Sequence, residues 1–223
     1  MTGRPKRPLL IGHRGSRLHA PENTFAAFNI ALDHGCDGFE LDVRLTADGQ
    51  ALVCHDPEVE GLNVAASTYE ELFAVSSSLP LLEQVLEPYS PRALIAIELK
   101  VPGLEQQTID LLRRFTSTRA AMISSFLPDV IEATHRIGAS VPLGFICRDK
   151  KLLHHWRSLP IEYAVLQFDL VNQFLFDELK AAGKKLLVWT VNEEKEMHHY
   201  AAMGVHGIIS DDTELLGSIF CKR

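Results

Sequence analysis

The chain has 223 residues, 46% hydrophobic and 23% charged, which is enough to bury a full core as one barrel or two small domains and excludes a disordered chain. A formal net charge of -7 leaves no general basic field to hold a nucleic acid or an anionic membrane, so small substrates are expected. Cys36, Cys54, Cys147 and Cys221 stand far apart with no Cys-x-x-Cys pair, which fits neither a zinc site nor a dense disulfide framework and suits a reducing cytoplasm.

In chain order, the basic start leads into Pro8 to Gly12, the first expected strand, whose apolar run Leu9 to Ile11 is too short for a signal-peptide core. No later stretch approaches the ~20 apolar residues of a membrane span, so a cytoplasmic protein without stable membrane association is expected. Thr24 to Asp33 reads as an amphipathic helix and Gly38 to Arg44 as the second strand; after the turn Ala47-Asp48-Gly49, Ala51 to Cys54 reads as a hairpin strand. The least regular stretch, Asp56 to Ser78, is expected to form a small cap over the site. Six more strands follow: Ala93 to Lys100, Ala121 to Ser124, Pro142 to Cys147, Tyr163 to Phe168, Lys185 to Val191 and Gly207 to Ser210. Helices are expected between them, for example Leu104 to Phe115, Asp129 to Ile137, Gln173 to Ala182 and Glu193 to Met203.

Gly35, Gly138, Gly183 and Gly204 each stand where a helix closes in a left-handed residue and the chain turns into a strand. Repeated strand-helix units with buried, β-branched strands predict a parallel sheet covered by helices, and eight units allow it to close as a (β/α)8 barrel. Periodicity alone also admits an open, doubly wound sheet. The loop after the first strand, His13-Arg14-Gly15, carries neither dinucleotide-binding glycines nor a P-loop lysine motif. No Pro/Gly/Ser-rich linker divides the chain, so residues 1–223 read as one domain, with the insertion at about 56–78.

Alternate residues of a strand share a face, so Glu40 and Asp42 project together, as do Glu98 and Lys100 near the C-terminal end of the third strand, the end that holds a barrel's active site. Three converging carboxylates repel one another unless a cation neutralises them, and an all-oxygen set suits Mg2+, Ca2+ or Mn2+ better than zinc. A salt bridge at the barrel mouth is the plainer reading of any one of these acids; the set of three favours a metal. His13 and His55 both end strands and can reach the same mouth, where imidazoles supply the proton transfers that phosphodiester cleavage needs. His154, His155, His198 and His199 read as surface residues.

The runs His13-Arg-Gly-Ser-Arg-Leu-His-Ala-Pro-Glu-Asn-Thr24, Gly38-Phe-Glu-Leu-Asp-Val43, Asp48-Gly49 and His55-Asp56 together resemble the glycerophosphodiester phosphodiesterase signature. Ile97-Glu-Leu-Lys100, Ser125-Phe126, Val188-Trp-Thr-Val-Asn192 and Gly204-Val-His-Gly-Ile-Ile-Ser-Asp211 look like the same family, so the resemblance spans nearly the whole chain. It implies that Glu40, Asp42 and Glu98 are metal ligands and that His13 and His55 form an acid-base pair. It also implies that Arg14 and Lys100 contact the phosphate. Glu22 would organise the loop, Asn23 or Thr24 would cap the first helix, and Trp189 and Phe126 would pack against the substrate or lie in the barrel core. The chain departs from the family pattern after Asp56, where Pro57 to Ser67 is brief and lacks an Arg-Thr-Thr element, and at His206 and Ser210, which replace an aspartate and a threonine. The implied reaction yields glycerol 3-phosphate and an alcohol; the rival readings are a lysophospholipase D and a catalytically silent barrel that binds phosphate compounds or a protein.

Overall fold

The computed structural model describes residues 7–115, 121–138 and 140–221; the basic start, Met1 to Lys6, lies outside them. Strand β1 (Leu9–Gly12) leads through α1 (Phe25–Asp33) to β2 (Gly38–Leu45). The excursion that follows holds β3 (Ala51–Val53), β4 (Glu58–Val59), β5 (Leu62–Asn63), α2 (Tyr69–Val75) and α3 (Leu82–Tyr89). The order resumes with β6 (Leu94–Leu99), α4 (Glu105–Arg114), β7 (Ala121–Ser125), α5 (Pro128–Arg136) and β8 (Leu143–Cys147). It ends with β9 (Tyr163–Gln167), α6 (Gln173–Ala181), β10 (Lys185–Trp189), α7 (Glu194–Met203), β11 (Gly207–Ser210) and α8 (Thr213–Phe220).

Strands β1, β2, β6, β7, β8, β9, β10 and β11 pair in parallel in that order, and β1 also pairs with β11, so the sheet closes on itself as a (β/α)8 barrel. Strand alternation sorts the side chains. Ile11, Ala96, Met122, Ile146, Val165, Leu187 and Ile209 fill the inside of the barrel, while Leu10, Phe39, Leu41, Ile95 and Ile97 turn outward to the helices.

The sequence reading misses three helices, α2, α3 and α8, and overstates one unit. Between β8 and β9 the 3-10 turn Leu153–Arg157 stands in place of an α-helix. Asp56 to Ser78 proves regular: β4 and β5 form a hairpin, and Thr68 and Glu71 cap α2 reciprocally. Val64 and Leu72 pack with Leu52 and Cys54 in a small separate core. No helix of the described residues is long and apolar enough to cross a membrane.

Candidate active site

The turn after β1 sets the geometry. Arg14 adopts a left-handed φ of 54°, which aims its backbone N–H at Glu40 Oε2, 3.0 Å away. Gly15 follows at φ 83°, and a Cβ there would lie 2.6 Å from the backbone of Ala27, so the turn requires glycine both for its conformation and for the close approach of α1. Thr24 caps α1, accepting from the Ala27 N–H; Asn23 instead donates to Asp42 Oδ2 at 2.9 Å and accepts from the Asp42 N–H at 3.2 Å. The asparagine is a support for the acid rather than a helix cap.

Glu40 and Asp42 on β2 and Glu98 on β6 offer oxygens that all lie within 4.8 Å of one another, and all three residues are buried. Asp42 and Glu98 stand side by side in the strand register. Two cations partly answer this charge: Lys100 Nζ lies 2.7 Å from Glu98 Oε1 and 3.3 Å from Asp42 Oδ1, and Arg14 Nε lies 3.2 Å from Asp42 Oδ2. Arg14 is itself shared with Glu22 at 2.8 Å. The compensation is therefore incomplete, and it falls on Asp42 and Glu98.

The titration of the acids follows. Burial alone would raise the Asp42 pKa, but Lys100, Arg14 and the Asn23 hydrogen bond outweigh it and hold the group below its ordinary value. Burial pushes Glu98 up to about 7, with Asp42 adding to the rise and Lys100 opposing it. Glu40 is driven well above the usual carboxylate range by burial first, then by the charges of Asp42 and Glu98. Glu40 Oε1 and Asp42 Oδ1 are buried with no hydrogen-bond partner among the described residues. An orphaned carboxylate oxygen in an all-oxygen cluster with excess negative charge fits a hard divalent cation.

His13 is buried at the end of β1, and its Nδ1 lies 2.7 Å from Asp211 Oδ1 just past β11. Asn192 donates to the other oxygen of Asp211 at 2.9 Å, and Arg17 lies 3.7 Å from the first. Burial would raise the Asp211 pKa, but the hydrogen bonds from His13 and Asn192 outweigh it, and the carboxylate stays ionised. His55 follows β3, with Nδ1 2.7 Å from Asp56 Oδ1, and its carbonyl accepts from Arg44 Nε at 2.7 Å. Burial lowers the His55 pKa; Asp42 and Asp56 pull it back up in part.

One cavity of about 600 Å3 gathers these groups. His13, Arg14, Glu40, His55, Glu98, Lys100, Phe126 and Trp189 all line it, and Asp42 sits just beneath, 1% exposed. Trp189 and Phe126 meet edge to face, 5.6 Å between centroids, and the indole N–H donates to the Val165 carbonyl at 3.2 Å. No residue between Asp56 and Ser78 lines the cavity. Asp211, Arg17 and Arg44 are the additions that the sequence reading missed. The only earlier signal for Asp211 was its place in the last motif, since its partner stands 198 residues away. His198 and His199 are exposed on α7, as the sequence suggests.

The chain is 31% identical over 240 residues to a glycerophosphodiester phosphodiesterase from Caldanaerobacter subterraneus subsp. tengcongensis, a match that covers 96% of this chain and 98% of the relative. Among solved structures, a glycerophosphodiester phosphodiesterase from Thermotoga maritima superposes with a TM-score of 0.83 at 22% identity, covering 97% of this chain and 100% of that one. An Oleispira antarctica phosphodiesterase, solved in complex with the product sn-glycerol-3-phosphate, gives a TM-score of 0.83 at 22% identity over 96% of this chain and 97% of that one. The model of the glycerophosphoryl diester phosphodiesterase family matches residues 13–215, from the histidine after the first strand to the helix after the last, and the chain belongs to that family of enzymes.

Proposed function

We propose that the protein hydrolyses glycerophosphodiesters to glycerol 3-phosphate and an alcohol, with Glu40, Asp42 and Glu98 holding one Mg2+ or Ca2+ (Mn2+ also fits) and His13 and His55 transferring protons. The observation that carries this reading is that a cluster of three buried carboxylates stands at the floor of one cavity that two histidines also line. When bound, the cation polarises the phosphoryl oxygens and offsets their negative charge. Arg14 and Lys100 stand beside the cluster as donors to the same group, Arg14 by its fork and Lys100 as a point charge. Trp189 and Phe126 offer an apolar face to the carbon atoms of the substrate.

The two histidines differ in a way that assigns their roles. Burial favours the neutral form of His55, which suits it to take the proton of the nucleophile, a water or the substrate's neighbouring hydroxyl. Asp211 holds the Nδ1 side of His13, which fixes the ring's orientation and leaves its other nitrogen to serve the departing alkoxide. Asp211→Asn is therefore expected to lower kcat by about 10- to 100-fold with little change in KM or Tm, because the ring loses its orienting charge while the cavity keeps its shape. A kcat that stays at the wild-type level would make Asp211 a purely structural partner.

One feature favours a lysophospholipase D: Leu127 and Leu152, 39% and 47% exposed, border the cavity and offer apolar surface to an acyl chain. Hydrolysis of glycerophosphocholine, glycerophosphoethanolamine and lysophosphatidylcholine, measured with and without added metal, tests both. The expected result is higher kcat/KM for the soluble diesters. A clear preference for the lysophospholipid transfers the assignment to the second reading, and no hydrolysis of any of them refutes both.

A further inference from the structure

The rim of the cavity carries more positive charge than the chemistry at its floor uses. Arg14, Arg44, Lys100 and Arg148 all line it. Arg14 and Lys100 are tied to Glu22, Asp42 and Glu98. Arg44 gives only its Nε, to the His55 carbonyl, and its two terminal nitrogens have no hydrogen-bond partner among the described residues. Arg148 makes no ion pair among the described residues; its guanidinium lies 5.8 Å from the centre of the Phe126 ring. It opens the exposed run Arg148-Asp149-Lys150-Lys151, in which the Asp149 carboxylate accepts the Lys151 backbone N–H at 2.8 Å. A chain of net charge -7 thus sets a basic edge beside its candidate active site.

The same edge disfavours a positive group. The face of Phe126 would be a seat for a quaternary ammonium, drawn to the ring's negative π face. Lys100 and Arg148 already lie 5.8 Å from that ring's centre, so an ammonium entering there meets two like charges. Arg148 is exposed, whereas the acids are buried. The end of a diester that reaches it is one that extends outward from the acids.

We infer that the leaving-alcohol end of this cavity is built for an alcohol that itself carries a negative charge, a second phosphate or a carboxylate, held by Arg148 and the free nitrogens of Arg44. The inference rests on the proposed hydrolysis. An arginine fork matches a phosphate or carboxylate in two parallel hydrogen bonds, which an uncharged analogue does not complete.

Glycerophosphoinositol and glycerophosphoinositol 4-phosphate differ by one phosphate on the leaving alcohol and so isolate the effect. With metal-loaded enzyme at low ionic strength, kcat/KM is expected to be about tenfold or more higher for the phosphorylated substrate. Glycerophosphocholine should be the poorest of the three. The preference should shrink as salt is raised to about 0.5 M, since the rim is open to solvent. Arg148→Glu should remove or reverse it, and Arg148→Lys should retain part of it. Equal kcat/KM for the two inositol substrates, a preference indifferent to Arg148→Glu, or faster turnover of glycerophosphocholine each overturns the inference and leaves the proposed hydrolysis standing. If none of these diesters is cleaved, the proposed hydrolysis fails and the inference fails with it.

Discussion

Removal of divalent cations by a chelator is expected to abolish hydrolysis, and Mg2+, Ca2+ or Mn2+ to restore it. Three carboxylates share one buried cluster, Arg14 and Lys100 answer only part of their charge, and one oxygen of Glu40 has no partner among the described residues. The sign of the pH dependence follows. Glu98, raised to about 7, and Glu40, also raised well above its ordinary value, hold protons in the folded state that the unfolded chain releases near its ordinary carboxylate pKa. The metal-free fold is therefore stabilised at acid pH and loses that stability as pH rises through about 7. A bound cation takes the place of those protons, so the metal-induced rise in Tm should be larger at pH 8 than at pH 5. Glu40→Gln offers a sharper check. Removing the least compensated charge should raise the Tm of the metal-free protein at pH 8 above that of the wild type, while activity and the metal-induced shift both disappear. Full activity in metal-free wild-type enzyme would end the metal proposal.

His13→Ala and His55→Ala are each expected to lower kcat by about 100-fold or more with the fold intact, because each would remove one of the two proposed proton transfers. His13 is fixed by Asp211 and by the end of the barrel wall, whereas His55 stands beyond a short strand held by Arg44. The losses should arise in kcat for both. The pH profile of kcat/KM should be bell-shaped, and because burial lowers the His55 pKa, its acid limb should lie below the ordinary imidazole value of about 6.5. His198→Ala and His199→Ala serve as controls: both residues are exposed on α7, and their loss should change the rate little. Either catalytic variant retaining a near wild-type kcat would return that histidine to a structural role.

Much of this arrangement is legible in the sequence because it is written in local patterns. The alternation Phe39-Glu-Leu-Asp-Val43 states on its own which face of β2 carries the acids, and the histidines announce themselves by standing at strand ends. What stays hidden depends on partners far apart in the chain. Nothing near His13 specifies Asp211, and nothing near Arg44 shows that its Nε reaches back to the carbonyl that follows β3. Local pattern leaves Asn23 and Thr24 as equal candidates for the helix cap; Thr24 takes that place, and the partner of Asn23, Asp42, lies on the next strand. The segment Asp56 to Ser78 looked irregular because its elements are too short to show a period, although Thr68 and Glu71 spell out a helix start. Its small core around Leu72 forms against β3 and is stated nowhere in its own composition.

The closure of the barrel also bears on how the protein is made. Strand β11 seals the wall against β1, and the residue that follows it, Asp211, is the partner of His13. The growing chain contains both histidines and all three clustered acids before half of it has been translated. It then carries them through the synthesis of five further barrel strands with no closed wall around them. A chain cut short between Glu98 and Ser210 therefore has every proposed metal ligand and neither a sealed barrel nor an oriented His13. Activity should accordingly switch on as a single event, once the last strand is free to dock, rather than build up as the chain grows.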